Sequence, residues 1–326
     1  MNFFGRVKNR EIDVKNISED EIEKIVREIL HEKLLLAKNA MFTSTSKFKI
    51  LIRKLEKVVI QSVKYIVQSL VYSKFEVLGN EVEFKHGGEY PPIELSLEDG
   101  RKVEITGKID RIDIAEGEKG KYIRIVDYKS SVKNIELNEV MFGLQLQLIT
   151  YLDEVVSKQD YFPAGILYFN LIDPIITAAS NKTEEEIKNE INKNFKMKGL
   201  VLADLNIVKM MDTKLDKGYS NLVPVYIGKE GNISQNLSNA IDEYDFANLQ
   251  KKVRKIIKQI SNEILNGDIS IKPYYNKDKK TPCEYCKYKT ICNFNTKQKG
   301  NNYNYIKYID KSEILEEIRK EAEQNV

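Results

Sequence analysis

Between Gly107 and Ser130 the chain reads GKIDRIDIAEGEKGKYIRIVDYKS, and its Asp110, Asp127 and Lys129 have the types and spacing of a hydrolytic metal site. In a strand alternate side chains share a face, so Asp127 and Lys129 stand on one side while Val126 and Tyr128 stand on the other. A hairpin return brings Asp110 beside them from the preceding strand. Charge of that density is costly to bury unpaired, so it implies either a bound cation or a tight ion-pair network. A divalent cation held by Asp110 and Asp127 would polarise a phosphoryl oxygen and acidify a bound water. Lys129 would steady the attacking hydroxide or the developing charge. Hard oxygen donors favour magnesium, or manganese, over zinc. The same three residues also fit a surface salt-bridge ladder on a strand edge, and DYK alone does not separate the two.

A second group is PCEYCKYKTICNF, where Cys283, Cys286 and Cys292 are the chain's three cysteines. The opening MNFFGRVKNREIDVK has neither the apolar stretch nor the cleavage site of a secretory signal, and no run of eighteen apolar residues follows it. A cytoplasmic protein with no membrane segment is expected, and clustered thiols there point to metal before disulfide. Three thiolates leave a tetrahedral zinc site or an iron–sulfur cluster one ligand short. His31 and His86 are the histidines that could in principle complete it, though neither has ligand-like neighbours; three free cysteines are the alternative. Net charge is +3, yet Lys251 to Gly300 carries thirteen Lys or Arg against four Asp or Glu, which fits either a polyanion-binding face or solvated helices.

The elements that must position these groups are legible from periodicity. SEDEIEKIVREIL has a capping box at Ser18 and Glu21 before an apolar stripe, and a longer amphipathic helix carries Phe48 to Leu70. From Phe75 to about Ser130 the period becomes two, in FEVLGNEVEF, PIELSL, KVEITGKIDRIDI and YIRIVDYK, with Asp99-Gly100 and EGEKG as turns. This predicts a largely antiparallel meander. NEVMFGLQLQLITYLDEVV then reads as one helix and AGILYFNLI as a strand ended by Asp173-Pro174, so the helix is expected as a crossover. Residues 181–239 read as a polar insertion with a helix capped at Thr183 and Glu186. A last long helix covers about Asp245 to Leu265 and stops at Gly267.

GKIDRID, VDYKSS and QLQLITY, in that order and spacing, resemble the RecB-like branch of the PD-(D/E)XK nucleases. The resemblance implies a restriction-endonuclease-like α/β fold, with a mixed central sheet flanked by helices. Its parts would be an N-terminal helical region (1–73), a nuclease core (74–272) and a cysteine-bearing cap (273–326). It also implies that Asp110, Asp127 and the Tyr128 carbonyl hold the metal and that Lys129 is catalytic. Gln147 and Tyr151 would form the family's QxxxY pair, Arg111 and Asp113 would be supports, and Glu81 matches an acidic position on the first core strand.

The cysteine trio, with PAGILYFNLIDP, MKGLVLADLNIVKMMD and NGDISIKPYY, is similar to the AddB family of helicase–nuclease subunits and, at the cysteines, to stand-alone Cas4-type nucleases. That likeness implies a four-iron four-sulfur cluster, in preference to zinc. Its fourth cysteine, and a metal-binding histidine, would lie upstream of Met1 in a longer subunit. The implied reaction is magnesium-dependent exonuclease cleavage of a DNA single strand, delivered from a duplex end by an AddA-like helicase during recombinational repair. No Walker A loop is present, so ATP hydrolysis would belong elsewhere. A free Cas4-type exonuclease and a catalytically silent iron–sulfur DNA-binding module are the alternatives.

Overall fold

The computed structural model describes residues 3–36, 45–173 and 183–324. Among these residues the helices α1 (Phe3–Lys8), α2 (Glu19–Leu36) and α3 (Ser46–Val71) come first. The capping box that opens α2 is reciprocal, with Glu21 N donating to Ser18 Oγ at 3.2 Å and Ser18 N to Glu21 Oε2 at 2.9 Å. Thr45 caps α3 through its hydroxyl. Apolar positions three and four apart on α2 and α3 meet in a cluster of Phe3, Ile12, Ile22, Val26, Ile60, Val63 and Val67.

Strands β1 (Glu76–Phe84), β2 (Ile93–Ser96), β3 (Lys102–Ile105), β4 (Gly107–Gly117) and β5 (Gly120–Lys129) follow. Then come α4 (Leu137–Met141), α5 (Gln147–Gln159), β6 (Phe162–Asn170), α6 (Glu184–Phe195), β7 (Lys198–Leu202) and α7 (Leu205–Met211). Beyond them lie β8 (Gly218–Tyr219), β9 (Tyr226–Ile227), β10 (Ala240–Ile241), α8 (Glu243–Leu265), β11 (Tyr274–Tyr275), α9 (Lys289–Cys292), β12 (Asn304–Tyr305) and α10 (Lys311–Glu323). Among the described residues the central sheet has six strands in the order β1-β4-β5-β6-β7-β10. Pairings β1/β4, β4/β5 and β6/β7 are antiparallel, while β5/β6 and β7/β10 are parallel. This is the mixed sheet flanked by helices that the resemblance implies, with α5 on the β5-to-β6 crossover.

Three local readings change. The run 102–114 is two strands: β3 pairs with β2 in a hairpin of its own, closed at Asp99-Gly100 with Gly100 at φ 83°, so the meander is β1-β4-β5. The break falls just before Gly107, where any Cβ would overlap the Tyr151 hydroxyl. The helix read over 138–156 is interrupted between α4 and α5, because Gly143 (φ 84°) and Gln145 (φ 53°) take left-handed conformations that no helix continues through. Residues 181–239, set apart by their polarity, supply β7 to the central sheet. The Thr183–Glu186 capping box is present, whereas Pro174 lies outside the described residues. No helix among the described residues is long and apolar enough to cross a membrane.

The chain divides into two compact units, one of residues 1–93, 106–134 and 151–243, the other of 94–105, 135–150 and 244–326. Within the second, Arg319 grips Asp245 with both Nε and Nη2, at 2.5 and 2.6 Å, and Lys252 and Lys255 both reach Glu321, so α10 is tied to α8. Asn138 exchanges two hydrogen bonds with the backbone of Ile309, at 2.9 and 3.0 Å.

The first unit has an ionic centre. Asp113 and Arg124 are register partners on β4 and β5, and Arg111 stands two residues before Asp113 on the same face. All three are at most 1 % exposed. Arg111 Nε approaches Asp113 Oδ1 at 2.9 Å, and Arg124 Nε donates to Oδ2 at 2.8 Å. Arg111 Nη1 donates to Tyr128 Oη at 2.8 Å, Phe4 of α1 stacks on the Tyr128 ring, and Arg124 lies 4.7 Å over the Phe75 ring. Burial pushes both guanidinium pKa values down; for Arg111 the attraction of Asp113 and the Tyr128 contact outweigh it, and for Arg124 they do not.

One carboxylate therefore serves two buried cations, and Asp113→Asn strands both of them. Loss of one partner from a buried ionic group costs about 3–5 kcal/mol. Urea denaturation of Asp113→Asn should show a loss of that order; a change below roughly 1 kcal/mol would mean that the guanidiniums are held by other means.

Candidate active site

The β4/β5 ladder runs from Gly117↔Gly120 to Arg111↔Val126. One step further the register sets Asp110 opposite Asp127, and directly opposed residues share a face. Here the Asp110 side chain takes over from backbone pairing: its Oδ2 accepts from Tyr128 N at 2.9 Å. Asp127 is 5 % exposed. Lys129 Nζ stands 2.7 Å from Asp127 Oδ2, in contact but outside hydrogen-bond alignment, so this buried oxygen has no aligned donor among the described residues. Burial raises the Asp127 carboxyl pKa above the usual carboxylate range; Lys129 pulls it back and the Asp110 charge pushes it further up. The sequence-derived trio is thus brought together on one face.

Strand β6 supplies a wall that spacing did not reveal. Its register sets Tyr168 beside Asp127 and Asn170 beside Lys129. Lys129 Nζ lies 5.8 Å from the Tyr168 ring centre, and burial, with the Asp127 charge behind it, pushes the Tyr168 hydroxyl up to about 12. Asn170, 1 % exposed, accepts from Lys133 N at 2.8 Å. Leu171 N donates to Lys129 O at 2.7 Å, which extends the β5/β6 pairing by one residue and leaves the segment after Lys129 fixed on both sides.

On the other flank, Val82↔Ile109 and Asn80↔Arg111 set Glu81 opposite Asp110. Glu81 has φ 53°, an uncommon conformation for a residue other than glycine, and its exposed side chain bonds Lys108 Nζ at 2.8 Å. That bond holds Lys108 above the usual lysine range, with Glu83 and Asp110 adding to the effect. Glu81 is therefore at the site's edge, paired with a lysine that the sequence reading passed over. Tyr151 Oη accepts from Lys108 N at 3.2 Å, and its ring stacks on Phe84 at 5.7 Å, so Tyr151 braces the strand two residues before Asp110. Gln147 opens α5 one turn before Tyr151 and belongs to the second unit. Arg111 and Asp113 lie in the buried network on the opposite face of β4.

A hard divalent cation fits the donors present: two carboxylates on one face, one of them with a buried oxygen that lacks an aligned donor. The cysteines do not form a comparable cage. Cys283 is half-buried, Cys286 and Cys292 are exposed, and among the described residues no three His, Cys, Asp or Glu side chains are grouped to hold a metal. His31 and His86 are both exposed.

The mixed sheet flanked by helices, with its paired carboxylates, is of the restriction-endonuclease-like kind. Residues 3–293 match the family model of the PD-(D/E)XK nuclease superfamily, and the chain belongs to that superfamily. It is 39% identical, over 97% of its length, to a subunit of the ATP-dependent helicase/deoxyribonuclease of Clostridium tetani, and 36% identical, over 99%, to the corresponding protein of Alkaliphilus oremlandii. The counterpart from Ruminiclostridium cellulolyticum is 40% identical over 90% of the chain. The chain spans 28% of the length of the first two relatives and 25% of the third.

Because burial raises the Asp127 pKa, the native state binds its proton more tightly than the unfolded chain does. Its contribution is thus favourable at low pH and is lost as pH rises through the carboxylate range. Without divalent cation, Asp127→Asn should therefore be more stable than the parent at pH 7, with the difference shrinking toward pH 4. Manganese should raise the thermal midpoint of the parent and leave that of Asp127→Asn unmoved. A variant less stable than the parent at pH 7 would mean that the Lys129 contact outweighs the cost of burial.

Proposed function

We propose that this chain is the nuclease part of a helicase–nuclease subunit and hydrolyses DNA phosphodiesters with a divalent cation, magnesium or manganese. The observation that carries the reading is the meeting of Asp110 and Asp127 across the end of the β4/β5 ladder, with Lys129 Nζ 2.7 Å from Asp127. Asp110, Asp127 and the Tyr128 carbonyl would hold the cation, which when bound supplies Lewis acidity and an acidified water. The chain's own residues do the rest. Asp127 and the Tyr168 ring keep Lys129 Nζ at the carboxylates, where its protons can hydrogen-bond the attacking water and meet the charge that grows on the phosphoryl oxygens. Tyr151 and Phe84 hold the start of β4, and the Arg111–Tyr128 bond holds the residue between Asp127 and Lys129. Glu81 is read as a substrate-side member of the site on the family resemblance.

The names of the relatives support an ATP-dependent helicase as partner, an AddA-like subunit in this reading. DNA ends processed for recombinational repair are the substrate that follows. Exonuclease action requires a free end, so a linear strand should be cleaved and a closed circular one spared. The iron–sulfur cluster rests on the Cys283, Cys286 and Cys292 spacing and on resemblance; the side chains as arranged do not form its cage, and no catalytic step runs through it.

End-labelled single-stranded DNA with magnesium is the direct test. Lys129→Met should lower kcat by about a hundredfold or more, the range found when a charge-stabilising donor is removed. Asp127→Asn should abolish cleavage while retaining strand binding. Cleavage by either variant within a factor of a few of the parent's rate would overturn the assignment.

A further inference from the structure

The registers align more than the carboxylates. Asp127 pairs with Tyr168 on β6, and Tyr168 pairs with Lys198 on β7. Paired residues share a face, so Asp110, Asp127, Tyr168 and Lys198 form one row across four neighbouring strands. The two ends of this row differ in charge. At the β1 end Lys108 is paired with Glu81. At the β7 end Lys198, half-buried at the start of its strand, has no ion-pair partner among the described residues. The Tyr168 hydroxyl between it and Asp127 has no hydrogen-bond partner among the described residues either.

A strand laid on this row meets a repulsive centre, since Asp110 and Asp127 repel every phosphate that the bound cation does not neutralise. A phosphate adjoining the scissile one needs its own donors. Strands in a sheet are about 4.8 Å apart, so the Lys198 backbone is roughly 10 Å from that of Asp127, and the lysine arm covers the ground between. We infer that Tyr168 and Lys198 form a subsite for the phosphate next to the scissile one, so that the substrate strand leaves the carboxylates toward β7. This deepens the nuclease reading and rests on it.

The test separates the two. Wild-type chain and the variants Lys198→Ala, Lys198→Arg and Tyr168→Phe are compared on a dinucleotide with one phosphodiester and on a trinucleotide with an adjoining one. Binding of a labelled oligothymidylate is measured in parallel by anisotropy at several salt concentrations, without divalent cation. Each phosphate contact on a single strand adds about 0.7 to the slope of log affinity against log salt. Lys198→Ala should weaken binding by about tenfold, lower the slope by about 0.7 and abolish the preference for the trinucleotide; Lys198→Arg should restore all three. Tyr168→Phe, which keeps the ring beside Lys129, should weaken binding by a similar factor and leave the slope unchanged, because the donor removed is neutral. A Lys198→Ala protein with the parent's slope and preference overturns the subsite. Failure of the parent to cleave either oligonucleotide would instead sink the nuclease reading, and the binding slopes would still decide for or against Lys198.

Discussion

The β4/β5 pairing depends on one carboxylate. Asp113 is buried between Arg111 on its own strand and Arg124 across from it, and neither guanidinium has water to fall back on. A sheet side chain changes face with every residue, so a one-residue slip of β5 would carry Arg124 to the other face and leave Asp113 with half its compensation. The ionic centre therefore makes a single register far more favourable than its neighbours. That register sets Asp110 opposite Asp127.

The two faces of this hairpin divide the work. On one, charge is enclosed and neutralised as far as two cations and one anion allow, under a roof of Phe4, Tyr128 and Phe75. On the other, Asp110 and Asp127 are kept close although the Asp110 charge makes Asp127 harder to ionise, and one Asp127 oxygen is left without an aligned donor. A chain under pressure for stability alone would not hold two carboxylates so. The rigidity contributed by the first face is what the second face draws on, and Tyr128 links them: its ring belongs to the ionic centre and its amide to Asp110.

How much of this could be read from the sequence depended on distance along the chain. The Asp110–Asp127 meeting was legible because Gly117 and Gly120 close a turn of two residues, and counting back from a short turn fixes every pairing along both strands. The capped helices were legible for the same reason: Ser18 with Glu21 and Thr183 with Glu186 act across three residues. Tyr168 and Lys198 were not legible, since their place beside Asp127 follows from the order β5-β6-β7, which long connections decide and local patterns do not record. Nor was the break between α4 and α5, where the apolar period runs on through Gly143 while the backbone does not. The cysteine spacing was plain in sequence, and what the structure adds is that the three thiols are not drawn into a ready-made cage.

The division of the chain into two units bears on the order in which they can be made. The first unit ends at residue 243, so the whole sheet with Asp110, Asp127 and Lys129 is available before the last quarter of the chain has been synthesised. The second unit is assembled from 94–105, 135–150 and 244–326, and two of its three pieces must wait for the third. Domains fold as their residues emerge, earlier ones first. On the ribosome the face that carries Asp110, Asp127 and Lys129 thus takes shape ahead of the cysteine-bearing end, and whatever the thiols bind is acquired after that sheet is complete.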